Sequence, residues 1–214
     1  MTSRKRSSGP ITAAQPTAQL EDDPQDQRRK QREAEEAERQ AGVRELTRAA
    51  QPIVADLRGA GFEVNSVWDI ANRTGKPNPA ALPVLLKHLQ IGGYPDFVMG
   101  SLGHLLARKE ANGFWDTLRE HYLKARGPDE QEGLASALAT SATAKQLDAL
   151  IDLLGDNSRD DSRLLLLSAI KRVGRRGGRG REVLESLRDD PVLCKEAQAL
   201  LKTRRRPGEA GTNP

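Results

Sequence analysis

Downstream of residue 80 the apolar positions recur at helical spacing, and the pattern itself repeats. Four segments carry apolar residues at i, i+3 and i+7, or most of that set: Leu82/Leu85/Leu89, Trp115/Leu118/Tyr122, Leu147/Leu150/Leu154 and Leu184/Leu187. Such spacing lays one apolar stripe along one face of a helix. Corresponding positions are 33, 32 and 37 residues apart. Between these segments lie four others with apolar residues four apart: Leu102/Leu106, Leu134/Leu138, Leu166/Ile170 and Ala197/Leu201, stepping by 32, 32 and 31. Two columns sharing one period predict units of two helices each. A single hairpin cannot bury both its stripes, so the units are expected to stack.

The polar punctuation agrees. Second helices are expected to open at Pro95-Asp96, Pro128-Asp129, Ser158-Arg159-Asp160-Asp161 and Asp190-Pro191. Proline suits a first helical turn, where its missing N–H would be unpaired anyway. Acidic groups there face the positive end of the helix dipole. Turns between units contain Gly113, Ala142–Ala144 and Gly174–Gly180.

Upstream, Val43, Leu46, Ala50, Ile53, Val54 and Leu57 also fall at helical spacing, and Pro52 predicts a kink or restart within that run. Asn65 and Ser66 offer caps for a short helix carrying Val67, Trp68 and Ile70, and Thr74–Pro79 reads as a turn. Residues 25–42 are polar nearly all round. The pairs Arg29–Glu33, Arg32–Glu36 and Glu35–Arg39 predict a charged, solvated helix, and no a/d apolar repeat supports a coiled coil. The organisation expected is a disordered tail at 1–24, the charged helix at 25–42, a helical N-terminal cap at 43–76, repeats at 77–203 and a disordered basic tail at 204–214.

The runs Ala81-Leu82-Pro83-Val84-Leu85-Leu86 and Leu147-Asp148-Ala149-Leu150-Ile151-Asp152-Leu153-Leu154, each followed by a Pro/Asp or Ser/Asp turn and a Leu/Ala helix, resemble the HEAT-repeat family, including short bacterial HEAT-like repeats. The resemblance covers about residues 77–203. It implies an all-α, right-handed α-solenoid of about four helical hairpins whose second helices line a concave face. Family members are mostly scaffolds or recognition surfaces, and a few are enzymes of DNA-glycosylase or chromophore-lyase type. Repeat three departs from the pattern in lacking proline at its second helix. Repeat four departs in its Gly/Arg insertion.

Composition narrows the functional classes. Only seven side chains are aromatic, which excludes a ring-rich β-sandwich and leaves little for stacking bases. The lone cysteine, Cys194, cannot form an internal disulfide or a thiolate zinc site, so a reduced, cytoplasmic setting is expected. Met1 to Gln19 lack the apolar run of a secretory signal. No stretch reaches the roughly 18 apolar residues of a membrane span. The net charge of +4 divides unevenly, as +7 within 171–206 and −3 elsewhere.

Candidate chemistry is sparse. His88, His104 and His121 lie on three helices without metal-binding spacing and are expected to be solvated; no metal or cofactor is expected. Cys194 is expected to act as a small buried hydrophobe. Trp115 beside Asp116 sits in the core column, which argues packing over catalysis. The leading expectation is therefore a non-catalytic scaffold or adaptor, bacterial in composition, docking a protein partner on its concave face. From the repeat register that face would hold His104, Ser136, Lys171 and Lys202, with Ser168 and Ala199 in the same rows. The alternative is a nucleic-acid-associated protein. Arg172, Arg175, Arg176, Arg179 and Arg181, in a loop that glycines keep mobile, would contact phosphate together with Arg204, Arg205 and Arg206.

Overall fold

The computed structural model describes residues 24–72, 79–159, 161–176 and 178–202. Among these every regular element is a helix, and none is long and apolar enough to cross a membrane. Residues 1–23, 73–78, 160, 177 and 203–214 lie outside the described residues, and with them the tails expected at 1–24 and 204–214 and the turn expected at Thr74–Pro79, save Pro24 and Pro79. The described residues divide into two compact units, one ending at Glu45 and one beginning at Leu46.

Among the described residues the first unit consists of the part of helix α1, Pro24–Ala49, that runs up to Glu45. The helix continues without a break past the boundary expected at residue 42, because Val43 to Ala49 extend the same helical run. Its side chains up to Glu45 are almost all exposed. Arg29 pairs with Glu33 at 3.8 Å. Arg39 pairs with Glu36 rather than Glu35, and Arg32 donates to the Arg28 carbonyl at 3.2 Å rather than to Glu36.

The second unit begins with Leu46, packed on the core. Helix α2, Gln51–Gly59, restarts the chain with Pro52 in its first turn and buries Ile53, Val54 and Leu57. Helix α3, Asp69–Asn72, is shorter than expected. Val67 and Trp68 lie in the turn before it. The cap is reciprocal: Ser66 Oγ accepts the Trp68 N–H at 3.0 Å, as expected, while the Asp69 carboxylate accepts the backbone N–H of Asn65 at 2.7 Å and of Ser66 at 2.9 Å.

Four helix pairs follow. They are α4 (Leu82–Ile91) with α5 (Asp96–Leu105), α6 (Trp115–Lys124) with α7 (Pro128–Ser141), α8 (Leu147–Leu154) with α9 (Ser162–Val173), and α10 (Arg179–Ser186) with α11 (Cys194–Lys202). The later helices open beyond the expected caps. A 3-10 turn at Asn157–Arg159 precedes α9, and the Asp190 carboxylate accepts the N–H groups of Val192 and Leu193 before α11 begins. Within each pair the helices pack on one another. Across pairs the second helices touch in succession: α5 on α7, α7 on α9, α9 on α11. Every residue of the two apolar columns is buried or half-buried, with Leu85, Leu118, Leu134 and Ile170 wholly inaccessible.

The α5–α7 crossing is the closest of these contacts, and glycine makes it so. A Cβ on Gly103 would lie 2.6 Å from the Leu134 nitrogen, and one on Gly133 would lie 2.8 Å from the Gly100 carbonyl carbon. The two helices therefore meet backbone to backbone. Each interior glycine costs about 1 kcal/mol of helix propensity against alanine. The contact at this crossing outweighs that, since a side chain would force the helices apart.

Two expectations on polar residues are corrected. His88 is not solvated but 3% exposed. Its Nε2 lies 3.1 Å from Asp56 Oδ2 on α2 and its Nδ1 lies 2.7 Å from the Tyr94 hydroxyl, so both ring nitrogens are paired and burial is tolerated. Cys194 is half-buried rather than enclosed.

Candidate partner row and basic loop

The C-termini of α6, α7 and α8 are closed by long polar side chains from other elements. The four last carbonyls of an α-helix have no intrahelical donor. For α6, Arg159 supplies donors: its guanidinium reaches the carbonyls of Tyr122 at 2.5 Å, Leu123 at 2.6 Å and Ala125 at 3.3 Å. Asp156 holds Arg159 Nε at 2.8 Å, and the guanidinium lies 4.8 Å from the Tyr122 ring centroid. For α8, Arg163 donates to the Leu154 carbonyl at 2.7 Å. For α7, Trp115 Nε1 reaches Leu138 at 3.2 Å, Asn112 reaches Ser141 at 2.9 Å, and Arg172 reaches Ala139 at 2.6 Å and Ala142 at 3.1 Å.

These contacts and two ion pairs take up several of the expected phosphate-binding cations. Arg172 holds the end of α7. Arg179 pairs with Asp148, and Arg181 pairs with Glu185 at 2.9 Å. Arg175 and Arg176 remain exposed, with no ion pair among the described residues. Arg204, Arg205 and Arg206 lie outside the described residues. Arg172, Arg175 and Arg176 are brought together, around a recess that also includes Thr143 and is otherwise lined by alanine and valine.

Two of the loop glycines do something other than loosen it. A Cβ on Gly174 would lie 2.7 Å from the Gly180 Cα, and one on Gly180 would lie 2.5 Å from the Ile170 carbonyl oxygen. The Gly180 N–H also donates to the Gly174 carbonyl at 2.9 Å. The loop therefore leaves and returns through a closed neck. Gly178, at φ 78°, turns the chain into α10.

The residues expected to meet a protein partner separate into two rows. His104 and Ser168 are exposed and Ser136 is half-exposed, one on each of α5, α9 and α7; Ala199 on α11 is exposed as well. In the second row Ala139 is buried and Lys171 is half-buried, its ammonium donating to the Leu200 carbonyl, while Lys202 is exposed. Phe97 was missed by the sequence reading. It lies seven residues before His104, hence on the same face of α5, and is 48% exposed, its ring centroid 6.0 Å from that of Trp68. Trp68 is held in turn by Nε1 donating to Ser101 at 3.0 Å. The spacing of 97 and 104 was the available signal.

Two histidines and the Asp56 carboxylate are among the groups whose titration departs from the ordinary. Burial holds the His88 imidazole below the usual histidine range against the opposing pull of Asp56, and Lys87, hydrogen-bonded at 2.7 Å, holds Asp56 below the usual carboxylate range. His121, half-buried, is lowered by burial too. Among the described residues no group of three or more His, Cys, Asp or Glu is arranged to hold a metal ion. Comparison of the chain with protein-family models, with curated proteins and with solved structures finds no match in any of the three.

Proposed function

We propose that this protein is a non-catalytic scaffold or adaptor that docks a protein partner on the exposed row of its second helices. In this reading the four hairpins form a right-handed α-solenoid of the HEAT type, with α2 and α3 closing its N-terminal side. The succession α5 on α7 on α9 on α11 supports that arrangement. The observation that carries the docking reading is the row itself. Phe97, His104 and Ser168 are exposed and Ser136 half-exposed, and the first two helices of the row, α5 and α7, are held together by backbone contact. Small and polar side chains let another chain approach closely, and Phe97 on its rigid helix supplies an aromatic anchor of the kind that concentrates binding energy.

The test is affinity capture from native cells with and without nuclease, comparing the natural chain with Phe97→Ala and Ser136→Arg. A partner retained by the natural chain and lost from both variants supports the reading, provided Glu120→Arg on α6 retains it. Equal retention by all four proteins, or loss on nuclease treatment alone, refutes it.

A further inference from the structure

The recess at the root of the Arg172–Arg181 loop contains three arginines and no carboxylate. The negative end of α7 also borders it, which would ordinarily repel an anion. Arg172 removes that objection by placing its guanidinium on the Ala139 and Ala142 carbonyls. Two nearby acids are likewise occupied, Asp148 by Arg179 and Glu185 by Arg181. Arg175 and Arg176 thus stand over the recess with their charge uncompensated among the described residues.

We propose that this recess binds a phosphate group, gripped by Arg175 and Arg176 above the fixed guanidinium of Arg172. The planar guanidinium fork matches phosphate oxygens two at a time, which a lysine ammonium cannot do. The closed Gly174–Gly180 neck holds the loop ends before any ligand arrives, which lowers the ordering cost of binding. Phosphate contact needs no aromatic platform, so the scarcity of rings does not count against it. The site is separate from the helix row and does not rest on the protein-docking reading.

The full-length chain and Arg175→Gln/Arg176→Gln are compared with two probes, pyrophosphate by titration calorimetry and a labelled mixed-sequence single-stranded oligonucleotide by anisotropy. The natural chain is expected to bind at least one probe, and the double variant at least tenfold more weakly, with unchanged melting temperature. Binding of pyrophosphate assigns a free phosphate ligand, and binding of the oligonucleotide alone assigns a phosphodiester backbone. On the oligonucleotide, two lost phosphate contacts should reduce the salt slope by about 1.4, or about sevenfold between 50 and 200 mM salt. Arg172→Gln should lower the melting temperature instead, separating the cap from the grip. The proposal is overturned if neither probe binds the natural chain, or if the double variant binds equally well. Should the double variant unfold, the single variants carry the same expectation.

Discussion

The carboxylate of Asp96 on α5 lies where a side chain on Gly127 would be: a Cβ there would sit 2.5 Å from Asp96 Oδ2 and closer still to Oδ1. That vacancy lets Asp96 accept the N–H groups of Asp129 and Glu130, both at 3.0 Å, and cap α7 from another helix. The same carboxylate, with burial as the larger cause, pushes Glu130 above the usual carboxylate range.

Replacing Asp96 by alanine should cost about 1 kcal/mol, within the range of lost N-caps. Asn should cost less, because its one carbonyl oxygen can still accept. Gly127→Ala should also destabilise, by displacing the carboxylate. Urea unfolding checks all three, and an unchanged midpoint for Asp96→Ala would remove the cap from the account.

Gly133→Ala tests the helix crossing. Alanine is the better helix former by about 1 kcal/mol, so an open site would be stabilised. With the Gly100 carbonyl in the way, overpacking should dominate and cost about 1–3 kcal/mol. Thermal melting decides the sign.

The buried arginine should be intolerant of shortening. Arg159→Ala leaves the carbonyls of Tyr122 and Ala125 without that donor, and each buried unpaired group costs about 1–3 kcal/mol. A loss above about 3 kcal/mol is expected from denaturant curves. Arg159→Lys should recover little, since one ammonium cannot span the same carbonyls.

Core packing at the first-helix column is tested by Leu118→Ala. Leu118 is fully buried, and truncation there should cost about 2–5 kcal/mol. A near-neutral change in melting temperature would contradict the packing.

Stability should fall with acid in a defined window. The folded His88 pKa lies below the unfolded value of 6.5, so the unfolded chain takes up its proton first. The stabilisation is therefore complete above about pH 6.5 and is lost as pH falls through the folded value; His121 acts with the same sign. Asp56, lowered by Lys87, adds its loss only below 3.8. His88→Gln should flatten the dependence of the unfolding midpoint between pH 7 and 5. An unaltered slope would show that His88 does not carry it.

The helix pairs were legible because their signal is local. Leu118 and Leu134 declare their burial through neighbours three, four and seven residues away. The α5–α7 crossing was not legible, since nothing in the local pattern around Gly100, Gly103 and Gly133 shows that another backbone lies against them. His88 was misjudged for the same reason: its partner Asp56 is 32 residues distant. Arg172 and Lys171 read as surface cations, and only the position of the α7 and α11 carbonyls reassigns them. Phe97 could have been placed from its seven-residue spacing to His104, but its exposure depends on how its ring lies against Trp68.

The caps cross the boundaries between helix pairs in both directions. Asp96 reaches forward from α5 to α7, while Arg159 and Arg172 reach back to α6 and α7. Removing the chain beyond residue 158 would therefore strip donors from a pair it does not belong to. Stacked units joined only by apolar contact can melt one after another from an end. Here the polar ties couple neighbours more strongly than apolar area alone, so unfolding of the pairs should be all-or-none and shortened chains should be frail out of proportion to their lost length.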